Sequence, residues 1–290
     1  MAKGDLGRRL GVAAVGIPLG IALIYYGGWV LALVLALVAL LGTLEVYGLA
    51  AARGWRPFLW IGGAAGVALP LWAAHAGSFE AFAPVALLVL VAVAFVSLGA
   101  AVFRRGAEGD PLLAVGTTLF GVAYASLPLA FALLLRSWPP AGEAGPGSVG
   151  MYLLILPLVI TWMGDTGAYF VGRGLGRHKL LPSVSPAKTV EGAIGGLVGS
   201  MFGAALLAWL FLGPASGAHL PIVAALVLGC VVGAASQLGD LAESVLKREA
   251  GVKDSGSLLP GHGGVLDRFD AVYVSVPLTW ALLPFALAGG

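Results

Sequence analysis

The stretch Trp29–Ala51, WVLALVLALVALLGTLEVYGLAA, contains a single charged residue, Glu45, in a run long enough to cross a bilayer as a helix. A helix that is apolar on every side belongs in a membrane or deep inside a large core. Runs of the same kind recur near residues 10–26, 58–75, 82–103, 112–135, 150–172, 191–213, 220–245 and 271–288. The chain is 59% hydrophobic and 10% charged, with a mean hydropathy of +0.98, whereas an average soluble domain carries about 25% charged residues. A soluble fold is therefore excluded, and the expectation is an all-α, polytopic transmembrane bundle of about nine spans. Only Gly27 and Gly28 separate the first two runs, and Gly62, Gly63 and Pro70 interrupt the third.

Lys3, Arg8 and Arg9 precede the first run as in a signal peptide, but no small-residue cleavage site follows, so the run counts as a span. Short loops retain Lys and Arg on the cytoplasmic side. Nine spans place 15 of the 16 basic residues on one side and only Arg136 opposite, which predicts a cytoplasmic N-terminus and an external C-terminus. A polytopic chain without a removable targeting segment suits a bacterial cell inner membrane. The net charge of +2 is too small to point to nucleic acid. Cys230 is the sole cysteine, so an intramolecular disulfide and a cysteine-based metal site are both excluded. The expected organisation is an N-terminal set of about five spans over residues 1–150, then a region over 151–290 that carries the polar loops.

Two polar islands interrupt the apolar pattern. Ser244–Asp270, SVLKREAGVKDSGSLLPGHGGVLDRFD, holds eight of the 30 charged residues and the turn-forming run Pro260–Gly264, whose backbone N–H groups are suited to an anion. Just upstream, Asp240, Glu243, Ser244 and Lys247 share one helix face. Glu45, Asp165, Asp240 and Glu243 all fall in the cytoplasmic halves of their predicted spans, and a carboxylate in hydrocarbon is costly unless it is paired, hydrated or bound to metal. Carboxylates so spaced suit a hard cation such as Mg²⁺, and a buried ion-pair network would look the same in sequence.

The second island, Met163–Gly196, supplies Arg173, Arg177, Lys179 and Lys188 as donors for phosphate oxygens. Ser185, Thr189 and Glu191 open the following helix at its positive end, with Thr189 as its expected cap. Retention of basic residues inside, or contact with anionic lipid, would explain the same cations. Neither a dinucleotide GxGxxG pattern nor a P-loop is present. Glu45 has no phosphate or metal partner near it in sequence and is read as structural.

The runs Ser244-Val-Leu-Lys-Arg248, Lys253-Asp254, Pro260-Gly-His-Gly-Gly264 and Leu266-Asp-Arg-Phe-Asp270 together resemble the signature of the phosphatidate cytidylyltransferases, or CDP-diacylglycerol synthases. Gln237-Leu-Gly-Asp240, Asp165-Thr-Gly-Ala-Tyr169 and Ser185-Pro-Ala-Lys-Thr-Val-Glu-Gly192 extend the resemblance over the C-terminal half, whereas residues 1–150 resemble the family only in being apolar spans. Ala187 departs from the pattern where many relatives carry a second lysine. The resemblance implies transfer of a cytidylyl group from CTP to phosphatidic acid among membrane lipids, with Mg²⁺ and room for a second cation, in a homodimer. It implies Asp240 and Asp267 as principal metal ligands, with Asp165 and Asp270 next. Lys188, Lys247, Arg248 and Lys253 become phosphate clamps, and His262 a donor to phosphate from its glycine loop. Arg173, Ser185, Thr189, Ser244, Gly263, Gly264 and Arg268 complete the expected substrate contacts.

A secondary transporter would also place carboxylates and basic residues in membrane helices. Here the polar residues gather in cytoplasmic loops and inner helix halves rather than at the midplane, and no inverted repeat is visible. A membrane kinase or nucleotidyltransferase acting on another lipid phosphate is the nearer alternative.

Overall fold

The computed structural model describes residues 16–138, 148–213, 218–256 and 263–287. The chain folds into two compact units, Met1–Gly147 with Glu249–Phe269, and Ser148–Arg248 with Asp270–Gly290. Among the described residues eight helices are long and apolar enough to cross a membrane, and each coincides with a run expected from sequence. Where the run at 10–26 was expected, the described part is the shorter apolar helix α1, Gly16–Tyr26.

In the first unit, α1 is followed by α2 (Gly28–Ala52), α3 (Leu59–Ala76) and α4 (Phe79–Arg104). The next span, Pro111–Arg136, is built from α5 (Pro111–Gly121), a π-helical turn at Val122–Ser126, and α6 (Leu127–Arg136). The short α10 (Leu266–Phe269) packs against α2. In hydrocarbon every polar group must be satisfied within the protein, and buried hydroxyls do this here. Tyr47 Oη donates to Thr118 O at 2.7 Å, Phe58 N–H donates to Thr118 Oγ1 at 2.8 Å, and Ser126 Oγ donates to Gly66 O at 2.6 Å. The glycines that interrupt the third run are explained by the same packing, since a Cβ at Gly62 would overlap the Tyr47 hydroxyl. Pro70 is buried within α3 without ending it. The buried Arg136 donates through Nε to Ile24 O at 2.7 Å and through Nη2 to Tyr25 O at 2.8 Å, satisfying carbonyls at the end of α1 that the helix leaves unpaired.

The second unit contains α7 (Val149–Leu175), a hairpin of β1 (Lys179–Leu181) and β2 (Ser185–Thr189), α8 (Val190–Phe211), α9 (Ile222–Glu249) and α11 (Val272–Leu287). The strands pair antiparallel, Lys179 opposite Thr189 and Leu181 opposite Ser185, and are a small departure from an all-helical chain. The glycines of α8 meet α7 of the same chain. A Cβ at Gly167 would overlap the Gly195 carbonyl oxygen, and one at Gly199 the Met163 carbonyl oxygen, so the helices approach backbone to backbone as small residues allow. This glycine face is thus covered within the chain. Ser200 Oγ donates to Ile160 O at 3.0 Å, joining α8 to α7, and Gln237 Nε2 donates to Ala193 O at 3.1 Å, joining α9 to α8.

Candidate active site

The charged residues of the second unit collect in the C-terminal halves of α7 and α9 and beside the starts of α8 and α11. Thr189 is the N-cap of α8, its Oγ1 accepting from Gly192 N–H at 3.1 Å, as the sequence suggests. Glu191, in the first turn of α8, accepts from Arg177 N–H at 3.1 Å and contacts His178 Nδ1 at 2.6 Å. The hairpin is thereby tied to the helix start from both its ends, and this fixes the strand that carries Lys188. Lys188 Nζ reaches Asp240 Oδ2 on α9 at 2.6 Å. Asp165 of α7 lies within electrostatic reach of Asp240, Asp270 and Lys188. Glu243, one turn beyond Asp240, is fully buried at 0% side-chain exposure and meets Lys247 Nζ at 3.3 Å. Asp270 accepts from Ala271 N–H at 2.7 Å at the start of α11, and its carboxyl also meets that of Glu243.

Four carboxylates therefore share one region with two ammonium groups. Of the four only Glu243 is buried, and a buried carboxylate is costly unless a cation joins it, as Lys247 does here. Among the described residues no three His, Cys, Asp or Glu side chains converge closely enough to hold a metal by themselves. Asp165, Asp240 and Asp270 offer oxygen donors of the kind a hard cation such as Mg²⁺ takes.

The first unit contains a second constellation. Glu45 of α2 accepts from Val265 N–H through Oε1 and from Leu266 N–H through Oε2, each at 2.8 Å. Ser255 Oγ stands 2.9 Å from Glu45 Oε2 and 3.0 Å from Asp267 Oδ2. The same Asp267 oxygen accepts from Ser255 N–H at 2.9 Å and Gly264 N–H at 2.8 Å. Backbone donors at Ser255, Gly264, Val265 and Leu266 thus bind the protein's own carboxylate pair. Gly263 adopts φ +77°, a conformation side-chain-bearing residues rarely take. A Cβ at Gly264 would overlap Glu45 Oε2.

The structure thus brings together Asp165, Lys188, Asp240, Glu243, Lys247 and Asp270 in the second unit, and Glu45, Ser255, Gly264 and Asp267 in the first. Arg173 is exposed and donates to Tyr169 Oη at 2.6 Å, one helical turn back. Arg248 Nε points to Val184 O at 3.5 Å, ending α9 beside the hairpin. Ser185 is half-buried on β2 and Ser244 half-buried on α9, while Lys253 and Arg268 are exposed in the first unit. His262 lies outside the described residues. Sequence reading missed Ser255, and it read Glu45 as structural without finding its partners. The glycines at 256, 263 and 264 were the available signal, since a Cβ at any of them would crowd the Glu45 or Asp267 carboxylate.

Membrane-spanning helices that gather carboxylates and lysines at their ends define an integral-membrane protein built to handle anionic ligands. The sequence profile of the cytidylyltransferase family matches residues 7–286, and the chain belongs to that family. A Synechocystis protein named phosphatidate cytidylyltransferase is 34% identical over 295 residues, covering 94% of each chain. Proteins of the same name from Bacillus subtilis and Haemophilus influenzae are each 45% identical, over 134 and 131 residues. Those matches cover 46% and 44% of this chain and 48% and 44% of the relatives.

Proposed function

We propose that this chain is an integral-membrane nucleotidyltransferase that converts CTP and phosphatidic acid to CDP-diacylglycerol and pyrophosphate for phospholipid biosynthesis. The observation that carries the reading is the Lys188–Asp240 pair at 2.6 Å, set among Asp165, Asp270, Glu243 and Lys247. The names of the relatives aligned over that region's family support the same reaction.

In this reading a non-bridging oxygen of the lipid phosphate forms a bond to the α-phosphorus of CTP. The bond from that phosphorus to the α,β-bridging oxygen breaks, and its electron pair leaves with pyrophosphate. A phosphate monoester is already largely ionised near neutral pH, its second pKa being about 6. The protein therefore needs neither a covalent nucleophile nor a strong base, and its task is positioning and charge neutralisation. Lys188 and Lys247 are placed to neutralise phosphate oxygens, Lys188 held at its height by the capped hairpin. When bound, Mg²⁺ would neutralise charge on the attacking and leaving oxygens. In the second unit Asp165, Asp240 and Asp270 fit it as oxygen ligands. In the first unit Asp267 is proposed as a metal ligand on the family resemblance alone.

The distribution of basic residues supports a site on the cytoplasmic side of a cell inner membrane, with acyl chains left in the bilayer and CTP arriving from the cytosol. The reading is tested by incubating purified protein with CTP and phosphatidic acid, with Mg²⁺ or with EDTA, and weighing the lipid product by mass spectrometry. Metal-dependent CDP-diacylglycerol with an equivalent of pyrophosphate is expected. A folded sample that yields no nucleotide-bearing lipid overturns it.

A further inference from the structure

We infer that Glu45 is a positioning residue for cytidylyl transfer, acting through Ser255 and the Gly264–Asp267 segment; this rests on the reaction proposed above. Val265 and Leu266 are 6% and 0% exposed, so their backbone N–H groups lack water and require an internal acceptor. Both oxygens of the Glu45 carboxylate fill that need, at 2.8 Å each. Hydrogen bonds from backbone N–H to an ionised acceptor are about twice as strong as neutral ones. The segment that leads into Asp267 is therefore held by a side chain from a distant membrane helix.

That helix is itself fixed. Two residues beyond Glu45, Tyr47 is buried and bonded to Thr118 O at 2.7 Å, so the carboxylate projects from a rigid element, as precise positioning demands. Ser255 couples Glu45 to Asp267. Its single hydroxyl proton faces both Glu45 Oε2 at 2.9 Å and Asp267 Oδ2 at 3.0 Å, so movement of either carboxylate is felt by the other. Gly264 is the steric counterpart, because any side chain there would displace Glu45. The loop N–H groups already serve these two carboxylates. Glu45 thus governs where Asp267 stands more than how tightly an outside anion is bound, and the expected signature is a change in kcat rather than in KM.

The test compares full-length wild type, Glu45→Gln, Gly264→Ala and the double variant in lipid nanodiscs, reading CTP turnover and amide hydrogen exchange. Glu45→Gln keeps one acceptor oxygen and turns an NH₂ against a backbone donor. Its kcat should fall about 10- to 100-fold, the usual cost of losing an outer partner of a site residue, with KM for CTP changed less than about threefold. Exchange at Val265 and Leu266 should accelerate while α3 and α4 remain protected. Gly264→Ala should lower kcat in the same way, and the double variant should be little worse than either, because both act on one contact. Unchanged kcat in Glu45→Gln overturns the inference, as do losses that multiply in the double variant or exchange that rises equally throughout the unit. Should Glu45→Gln fail to fold, Ser255→Ala decides, since it removes the shared donor and leaves α2 untouched: reduced kcat at constant KM supports the inference and wild-type kcat overturns it. A wild type that makes no CDP-diacylglycerol would sink the reaction assignment, while the exchange pattern would still report on the clamp.

Discussion

Lys188 Nζ lies 2.6 Å from Asp240 Oδ2, so an ammonium group carried on a short hairpin is seated on a carboxylate of a membrane helix. Neither residue is fully buried, with side-chain exposures of 27% and 37%, and both remain open to a ligand arriving from water. An exposed pair of this kind adds only about 0–1 kcal/mol to stability. Its presence among Asp165 and Asp270 is better explained by chemistry than by folding.

Asp240→Asn should therefore insert and melt like wild type while turnover falls to background. Lys188→Met should lower turnover by about 10²–10³, the typical cost of losing one donor to a developing oxyanion. Asp165→Asn should leave turnover measurable but raise the Mg²⁺ concentration for half-maximal activity by about tenfold. Turnover assays across a Mg²⁺ series, with thermal unfolding in parallel, check all three. Near-wild-type turnover in Asp240→Asn would remove Asp240 from the site.

The contact of α7 with α8 leaves no room for a single methyl group. Gly167→Ala would drive its Cβ into the Gly195 carbonyl oxygen, which is backbone and unable to swing aside. Overpacking of this kind costs about 1–3 kcal/mol. Because α8 begins at the Thr189 cap beside Lys188, the variant should lose activity together with stability. Unfolding monitored in detergent, with turnover measured well below the transition, separates the two losses.

Tyr47→Phe removes one hydrogen bond and no apolar volume. The Thr118 carbonyl would lose a 2.7 Å partner in a buried setting, at a cost of about 1 kcal/mol. Since Tyr47 also fills the space left by Gly62 and Gly121, the ring itself should stay in place. A small downward shift in unfolding temperature with unchanged KM is expected. A large loss of folded protein would show that the hydroxyl has a role beyond this bond.

The spans were legible because each apolar run is long enough to declare itself, and the break between the first two falls at Gly27, with Gly28 opening α2. The cap at Thr189 was legible for the same local reason. The β1–β2 hairpin was not, because strands of three and five residues are too short to show alternation and are tied down by the Glu191 carboxylate at the start of α8. Glu45 was set aside because its partners Ser255, Val265 and Leu266 lie 210, 220 and 221 positions away. The glycine run was read as a place where backbone donors meet an anion, and among its described residues Gly264 N–H donates to the Asp267 carboxylate. Sequence could not say that the anion in the folded chain belongs to Glu45 and Asp267.

Glu243 and Lys247 offer a test of where folding ends and catalysis begins. Glu243 is 0% exposed, its carboxyl meets that of Asp270, and Lys247 at 3.3 Å is the cation one turn away. Removing the cation alone, as Lys247→Met, leaves two acidic groups facing each other in a low dielectric, and losing one partner of a buried pair costs about 3–5 kcal/mol. Adding Glu243→Gln removes the uncompensated charge, and replacing both members of such a pair is often close to neutral. The double variant should therefore unfold near the wild-type temperature. Its turnover should stay low, because the ammonium proposed to face phosphate is still missing. Recovery of turnover together with stability would show that Lys247 serves only to neutralise Glu243, and would leave Lys188 as the lysine of this region that acts on substrate.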